Sequence, residues 1–335
     1  MKKITLRVLC ILLCVACLMP LPACQRDTRQ EKTFFLMDTT ITVTLYTNQK
    51  TAEPIFEGCR ALLSEYENLL SRTKAESDIG RFNAAESSIA LDPRTASLIA
   101  QAMDVSQKTN GAFDITVAPI VNLWQESEEN GKLPTTNQMQ AALALVGTQS
   151  ITLSGNTLSK KDKNVQIDLG GIGKGTAISA LISYLEDSGV SGGLVSFGSN
   201  VAVFGEKPDK KPYRIALRNP KSESGYAGTL TMTRGQILSV SGDYERFYTI
   251  GDKQYHHIID PVTGYPAESG LCSVAVICTD GSLADALSTA LFVMGKEKAL
   301  AFYESQTYAF EAIFIDQNGN VTTTAGLADS FEMQN

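Results

Sequence analysis

The sequence predicts an α+β protein of mixed sheets with packed helices, and three observations lead to that class. Alternating apolar residues predict strands, as between Thr40 and Tyr46, where Ile41, Val43 and Leu45 share one face. Apolar residues at helical spacing predict amphipathic helices elsewhere. Several predicted strands follow one another without a helix between them, so a uniform β-α-β fold is not expected. We expect one compact catalytic unit of two interleaved halves.

The predicted elements run along the whole chain. Pro54 is expected to open the first helix, whose apolar stripe consists of Ile55, Cys59, Leu62, Leu63, Tyr66 and Leu70. Further helices are expected at 92–111, 136–147, 175–187 and 282–294. Further strands are expected at 165–169, 194–197, 213–217, 236–240, 255–259, 273–278 and 309–315.

Composition excludes several classes of function. A chain of 335 residues with 43% hydrophobic and 19% charged residues can bury a core and is not broadly disordered. Its formal net charge of −7 argues against a nucleic-acid partner bound through phosphate neutralisation. The two histidines are adjacent, His256 and His257, so a three-histidine zinc site and an HExxH helix are excluded.

The N-terminus resembles a bacterial lipoprotein signal. Lys2, Lys3 and Arg7 precede an uncharged stretch, residues 8–23, that is short for a membrane span. The stretch leads into Leu-Pro-Ala-Cys, which resembles a lipobox and predicts lipidation of Cys24. A secreted protein cleaved at another position is the alternative.

In the lipoprotein interpretation, residues 1–23 are the signal peptide, 24–32 a lipidated tether and 33–330 the catalytic domain. Removing residues 1–23 takes away three positive charges and no acid, which lowers the net charge to −10. The predicted location is the extracytoplasmic face of the cell membrane, reached through the lipid anchor. Cys59, Cys272 and Cys278 then remain, an odd number without CxxC spacing, so no disulfide framework is expected. Cys272 and Cys278 are expected to face the core from one side of a strand.

Residues 165–175 form the first segment with a chemical pattern, a predicted strand followed by Gly170, Gly171, Gly173 and Gly175. Backbone amides in such a turn, at the start of a helix, favour a phosphate. The pattern is neither a Walker A loop nor a Rossmann fingerprint. Tight packing of the helix on the strand is the alternative explanation.

Three further segments carry candidate side chains. Asp114 follows a helix end and either serves a site or caps a backbone amide. On a strand, His256 and His257 face opposite sides, so one of them can line a site as a general base. Asp285 and Thr289 share a helix face and offer oxygen ligands for Mg²⁺ or Ca²⁺. The alternatives are a structural histidine, and an aspartate stabilised by the helix dipole with Thr289 bonded to its own turn.

Taken together, seven segments resemble the ApbE family of FAD:protein FMN transferases, over nearly all of the mature chain. They occur in the order expected for that family and consist of residues 37–39, 77–83, 111–114, 168–175, 198–200, 257–264 and 284–290. The resemblance implies an ApbE-like fold, transfer of FMN from FAD onto a Thr or Ser hydroxyl of a partner flavoprotein with release of AMP, and Mg²⁺ as cofactor.

The resemblance also implies roles for individual residues. The expected FAD contacts are Met37, Ala112, Phe113, Asp114, Asp168, Lys174 and His257. The expected Mg²⁺ ligands are Asp285, Thr289 and the carbonyl of Gly171. His257, rather than His256, is the expected base, and the acceptor is expected to be a redox-pump subunit with a Ser/Thr-Gly-Ala-Ser/Thr-like site.

One position departs from the family pattern, and two other functions remain alternatives. Thr73 stands where many family members carry an aromatic residue that can stack on the flavin nucleotide. An FAD pyrophosphatase would use the same metal site to give FMN and AMP. A non-catalytic flavin-binding lipoprotein would bind FAD without chemistry.

Overall fold

The computed structural model describes residues 27–222 and 225–334. An eight-stranded antiparallel sheet organises this part of the chain, with the strand order β1-β2-β6-β7-β10-β13-β14-β15. Two three-stranded sheets, β16-β9-β8 and β3-β5-β4, and the β11-β12 hairpin complete the β-structure of the described residues. The predicted α+β class with mixed sheets is confirmed. No helix in the described ranges is long and apolar enough to cross a membrane.

The helices of the described residues are α1 Gln49–Leu70, α2 Asp78–Ala84, α3 Pro93–Lys108, α4 Ala118–Asn130, α5 Thr136–Leu143, α6 Gly173–Asp187, α7 Gly281–Met294 and α8 Lys296–Glu304. The first eight strands are β1 Thr28–Leu36, β2 Thr39–Thr47, β3 Ser88–Ala90, β4 Ile151–Ser154, β5 Thr157–Lys160, β6 Gly192–Phe197, β7 Asn200–Gly205 and β8 Tyr213–Arg218. The remaining strands are β9 Tyr226–Met232, β10 Ile237–Gly242, β11 Phe247–Ile250, β12 Lys253–His256, β13 Leu271–Cys278, β14 Glu311–Asp316, β15 Val321–Thr323 and β16 Phe331–Met333.

The large sheet is buried on both faces, which explains its apolar strands. Helices α1, α6 and α7 cover one face, where Ile41, Val43 and Leu45 of β2 are fully buried as predicted. The β16-β9-β8 sheet covers the other face through residues such as Leu230 and Met232. A smaller apolar cluster joins α4 and α5 to the β11-β12 hairpin around Trp124.

Two predicted helix ends differ by four residues or more from the observed ones, for local reasons. Helix α1 begins at Gln49, not at Pro54, because the side chain of Asn48 accepts the amide of Thr51 and caps the helix earlier. Helix α5 ends at Leu143, four residues before the predicted Gly147. There the chain tightens into turns, in which the amide of Val146 donates to the carbonyl of Leu143.

The segment 165–169, predicted as a strand, has no ladder partner. Asn83 takes that place: its Oδ1 accepts the Ile167 amide at 2.8 Å, and its Nδ2 donates to the Ile167 carbonyl at 3.0 Å. The amide of Asp168 donates to the carbonyl of Ile115. The backbone is therefore satisfied without a sheet, which sequence alternation alone does not reveal.

Cys272 and Cys278 lie on opposite faces of β13, contrary to the prediction. The pairing of β13 with β14 shifts between Leu271 and Ser273, and this bulge reverses the alternation of side chains. Cys278 consequently packs on the helix side and Cys272 on the side of the small sheet. Both thiols, like that of Cys59, are buried and free.

Both ends of the folded body extend past the predicted boundaries. Strand β1 begins at Thr28 and pairs with β2 along its whole length, so residues 28–32 belong to the sheet rather than to a tether. Their polar character fits an edge strand whose side chains are largely exposed. At the other end, β16 pairs with β9 as far as Met333. The predicted signal peptide and Cys24 lie outside the described residues.

Candidate active site

A cleft of about 870 Å³ contains every site residue predicted within the described chain. It lies between the β1-β2 turn, the end of α1, the glycine turn before α6, and α7. The predicted residues that line it are Met37, Ala112, Phe113, Asp114, Asp168, Gly171, Lys174, His257, Asp285 and Thr289. Residues as far apart as Met37 and Thr289, 252 positions, thus share one cavity.

The glycine turn forms one wall of the cleft. Its extended segment leads into α6, which begins at Gly173, so Gly170 and Gly171 lie just before the helix N-terminus. Such a position offers backbone amides and a favourable helix dipole to an anion. Lys174 adds a cation whose Nζ donates to the carbonyl of Gly170 at 3.0 Å and lies 3.8 Å from Oδ1 of Asp285.

Gly175 has a different role, close packing of two helices. A methyl group at Gly175 would lie 1.9 Å from the carbonyl oxygen of Gly281 at the start of α7. Tight packing, one of the two explanations drawn from the sequence, therefore holds for this glycine, although its partner is a helix rather than a strand.

Asp285 is a buried carboxylate surrounded by hydrogen-bond donors. Its Oδ2 accepts the Gly175 amide at 3.0 Å, and its Oδ1 accepts Asn200 Nδ2 at 3.1 Å and Ser239 Oγ at 3.0 Å. It lies in the second turn of α7, since Asp280 caps that helix, so a first-turn position at the helix dipole does not explain it. A carboxylate can accept about four hydrogen bonds or ligands, which leaves capacity on Oδ2.

The arrangement fits a small oxygen-ligated cation. Thr289 lies one turn after Asp285, with Oγ1 3.3 Å from Ser241 Oγ. Gly171 faces this hydroxyl, because a methyl group there would lie 3.5 Å from Thr289 Oγ1 and 3.2 Å from the Phe113 ring. Residues 27–222 and 225–334 hold no group of three or more His, Cys, Asp or Glu that could bind a metal ion. A magnesium site here would use one carboxylate, a hydroxyl and a carbonyl, with ligand oxygens completing the shell.

The two histidines point in opposite directions, as predicted, although the expected strand at 255–259 is Lys253–His256 and His257 follows its end. His256 packs its ring against Phe292 in the core, and its Nε2 lies 3.2 Å from the carbonyl of Ala267. His257 lines the cleft, and its Nδ1 lies 3.2 Å from the Arg246 carbonyl. A carbonyl only accepts hydrogen bonds, so Nδ1 carries the proton and Nε2 the lone pair. Burial lowers the pKa of His257 to about 4, so its ring is neutral at pH 7.

Asp114 caps the turn that follows it and also lines the cleft. Its Oδ1 accepts the amide of Thr116 at 2.8 Å and the hydroxyl of the same residue at 2.6 Å. Burial raises the pKa of this carboxyl, and the Thr116 hydrogen bonds oppose the rise. Asp114 therefore caps a backbone amide and also lines the cleft, so the two roles expected for it do not exclude each other.

The β1-β2 turn holds two residues in a left-handed conformation. Met37 has φ 51° and Asp38 φ 55°, values that cost energy for residues other than glycine. Two cleft residues hold the turn: Glu67 accepts the amide of Met37 at 3.0 Å, and Arg246 donates to the carbonyl of Asp38 at 3.0 Å. Such strain is typical of functional sites that the surrounding structure holds in place.

Seven charged residues of the cleft lining were not among the predicted site residues, including Arg72, Glu245 and Arg246. Arg72 pairs with Asp168 at 3.0 Å, and the carbonyl of Arg246 accepts a hydrogen bond from His257. Glu245 is an exposed acid of the lining, and partial desolvation in the cleft raises the pKa of its carboxyl. Neither spacing nor periodicity distinguishes these side chains from solvated charges.

The cleft lining carries more negative than positive groups. The carboxylates in it are Asp38, Glu67, Asp114, Glu128, Asp168, Glu245 and Asp285, and the basic side chains are Arg72, Lys74, Lys174 and Arg246. An anionic ligand would therefore need local donors or a cation to bind here.

Comparisons with known proteins identify relatives that match nearly the whole of this chain. The family model described as "ApbE family" matches residues 37–314. A protein of Haemophilus influenzae named FAD:protein FMN transferase is 32% identical over 335 residues, covering 94% of this chain and 95% of that protein. A flavinyl transferase ApbE of Pseudomonas stutzeri has TM-score 0.79 and 31% identity, covering 91% and 98% of the two chains. An ApbE protein of Thermotoga maritima has TM-score 0.82 and 29% identity, covering 90% and 98%.

Proposed function

The chain belongs to the ApbE family, and we propose that it transfers the FMN moiety of FAD to a Ser or Thr hydroxyl of an acceptor flavoprotein, releasing AMP. The observation that carries this proposal is the single cleft, where an anion-binding glycine turn, a buried carboxylate and a neutral histidine meet. FAD offers the matching groups: a diphosphate for the turn and two ring systems for the remaining walls.

The reaction exchanges the phosphoanhydride bond of FAD for a phosphoester bond to the acceptor. The acceptor hydroxyl oxygen attacks the phosphorus on the flavin side of the diphosphate, and the bond from that phosphorus to the AMP oxygen breaks. The hydroxyl proton moves to a base, and AMP leaves with the bonding electron pair. No oxidant or reductant is consumed.

His257 is the base that best fits this step. Its Nδ1–H is held by the Arg246 carbonyl, so Nε2 has the lone pair with which to take the hydroxyl proton. Its lowered pKa keeps the ring unprotonated at neutral pH, although the same shift makes it a weaker base. Close positioning of the hydroxyl in the cleft would offset that weakness.

Lys174 and the backbone amide of Gly171 would bind the diphosphate, while the Gly170 amide donates to Asp168 and so fixes the turn. Lys174 is oriented by the Gly170 carbonyl and by Asp285, so its charge lies at the wall where the glycine turn meets α7. Asp285, Thr289 and the Gly171 carbonyl would hold Mg²⁺, which when bound supplies charge neutralisation for the diphosphate and the leaving AMP. The excess of carboxylates in the lining supports a requirement for that cation.

The test is a mass measurement on the acceptor. The protein is incubated with FAD, Mg²⁺ and a flavoprotein domain carrying a Ser/Thr-Gly-Ala-Ser/Thr-like site, and the acceptor is then weighed. A gain of one FMN is expected, and an acceptor whose hydroxyl residue is replaced by alanine or valine should gain nothing. Release of AMP without any mass gain would indicate a pyrophosphatase. FAD binding that survives EDTA, with no AMP, would indicate a flavin carrier.

We also propose that the mature protein is anchored to the extracytoplasmic face of the cell membrane through lipidated Cys24. Three residues separate Cys24 from Thr28, and Asp27 already contacts the body, since Ser191 Oγ donates to its carboxylate at 2.9 Å. Such a short connection would hold the catalytic body close to the bilayer. Membrane fractionation of the unaltered protein and of Cys24→Ala tests the anchor, which is expected to be lost in the variant.

A further inference from the structure

Arg72 lies in the cleft with its guanidinium fixed by two protein partners. It follows the end of α1, and its side chain is 19% exposed. Its Nε lies 3.0 Å from Oδ2 of Asp168, and its Nη1 donates to Oδ1 of Asn122 at 2.8 Å. Asn122 is held in turn, because its Nδ2 donates to Gln166 at 2.7 Å.

Asp168 connects this chain of contacts to the glycine turn. Its Oδ1 accepts the amide of Gly170 at 2.7 Å, while its Oδ2 faces Arg72. The carboxylate therefore orients the first glycine of the turn, where the diphosphate is proposed to bind. Its negative charge, however, stands beside that same anion site.

An unpaired carboxylate at this position would repel a diphosphate. The cleft lining already holds seven carboxylates against four Arg and Lys side chains, so no general excess of positive charge compensates for it. Charges this close interact strongly in a partly buried site. Arg72 is the basic side chain that pairs with Asp168.

We propose that Arg72 is a positioning residue for the anion site: it neutralises Asp168, so that this carboxylate orients the glycine turn without repelling a diphosphate. The inference rests on the proposed function, since it assigns the ligand as a nucleoside diphosphate group. It predicts that the effect of losing Arg72 depends on Asp168 and on the phosphates of the ligand.

The test titrates FAD, ADP and riboflavin into the mature protein and into Arg72→Met, Asp168→Asn and the double variant. Arg72→Met should weaken FAD and ADP binding about tenfold, and riboflavin, which has no phosphate, by less than about twofold. Adding Asp168→Asn to Arg72→Met should recover most of the lost affinity, because asparagine keeps the acceptor for the Gly170 amide without the charge. Arg60→Met, on α1 and outside the cleft lining, should change all three affinities by less than about twofold.

Three results would overturn the proposal: unchanged FAD and ADP affinity in Arg72→Met, an equal loss for riboflavin, or no recovery in the double variant. An equal loss for riboflavin would indicate a purely structural role, and no recovery would indicate direct contact of Arg72 with the ligand.

These titrations contain no acceptor protein, so they separate this inference from the proposed function. If ADP and FAD bind as described but no FMN is transferred, the proposed function fails and this inference stands. If transfer proceeds and Arg72→Met changes no affinity, the inference fails and the function stands.

Discussion

The backbone amide of Gly175 donates a 3.0 Å hydrogen bond to Oδ2 of Asp285, and this bond joins the first turn of α6 to the second turn of α7. The two helices approach so closely that a Cβ at Gly175 would overlap the carbonyl of Gly281. Helix packing and the orientation of the candidate metal ligand therefore depend on the same glycine.

Gly175→Ala should destabilise the protein by about 1–3 kcal/mol, because the added methyl group has no space and the two helices must move apart. Thermal and denaturant unfolding measure the loss. Gly173→Ala is the matched control on the same helix, since a methyl group there meets Leu70 at 3.6 Å, an ordinary contact distance. Equal stability of the two alanine variants would contradict the role given to the close approach.

Asp285→Asn should raise the Mg²⁺ concentration needed for half-maximal transfer by at least about tenfold, because the amide lacks the charge that holds the cation. The measurement is AMP release and acceptor mass against Mg²⁺ concentration. Asp280→Asn is the control on the same helix, since asparagine is also a good N-cap and Asp280 lies outside the cleft lining. An unchanged Mg²⁺ dependence in Asp285→Asn would remove Asp285 from the metal site.

Motif-bearing residues could be placed from the sequence because local patterns position them. The alternation in β2 predicted its buried face, and the spacing of Asp285 and Thr289 placed both on one face of α7. The predicted strand at 255–259 indicated that one of the two histidines faces the site, and His257 does line the cleft, although β12 ends at His256.

Contacts between residues that lie far apart in the sequence could not be predicted, including hydrogen bonds that take the place of strand pairing. Asn83 pairs with the backbone of Ile167 across 84 positions and removes the expected strand. The bulge in β13 moves Cys272 to the other face of the sheet. The donors around Asp285 come from β7, β10 and α6, so their convergence depends on the tertiary fold rather than on any local pattern.

Thr73→Tyr should tighten FAD binding about two- to tenfold, because Thr73 is exposed at the cleft and an aromatic ring there can stack on the flavin nucleotide. Fluorescence titration of FAD measures the change. Thr73→Val removes the hydroxyl without adding a ring and should leave the affinity within about twofold. Weaker binding in Thr73→Tyr would show that the nucleotide rings lie elsewhere in the cleft.

His257→Gln should reduce transfer by about 100- to 10,000-fold while FAD remains bound, because glutamine fills the space but does not accept a proton at neutral pH. In the unaltered protein, kcat/KM should stay level from pH 8 to about 5 and fall around pH 4, where His257 becomes protonated. An acid limb centred at the ordinary histidine value, 6.5, would contradict the buried environment assigned to this ring.

The same pKa shift gives an independent measurement on the folded state. The unfolded chain takes up the proton of this histidine near pH 6.5 and the folded protein only near pH 4. Between these values the unfolded state binds more protons, so the contribution of His257 to stability is complete above pH 6.5 and falls as the pH decreases towards 4. His257→Gln should therefore make the free energy of unfolding less dependent on pH in this window. Burial also lowers the pKa of His256, so part of the dependence remains in the variant. An identical pH dependence with and without His257 would show that its ring is protonated as readily in the folded protein as in the unfolded chain.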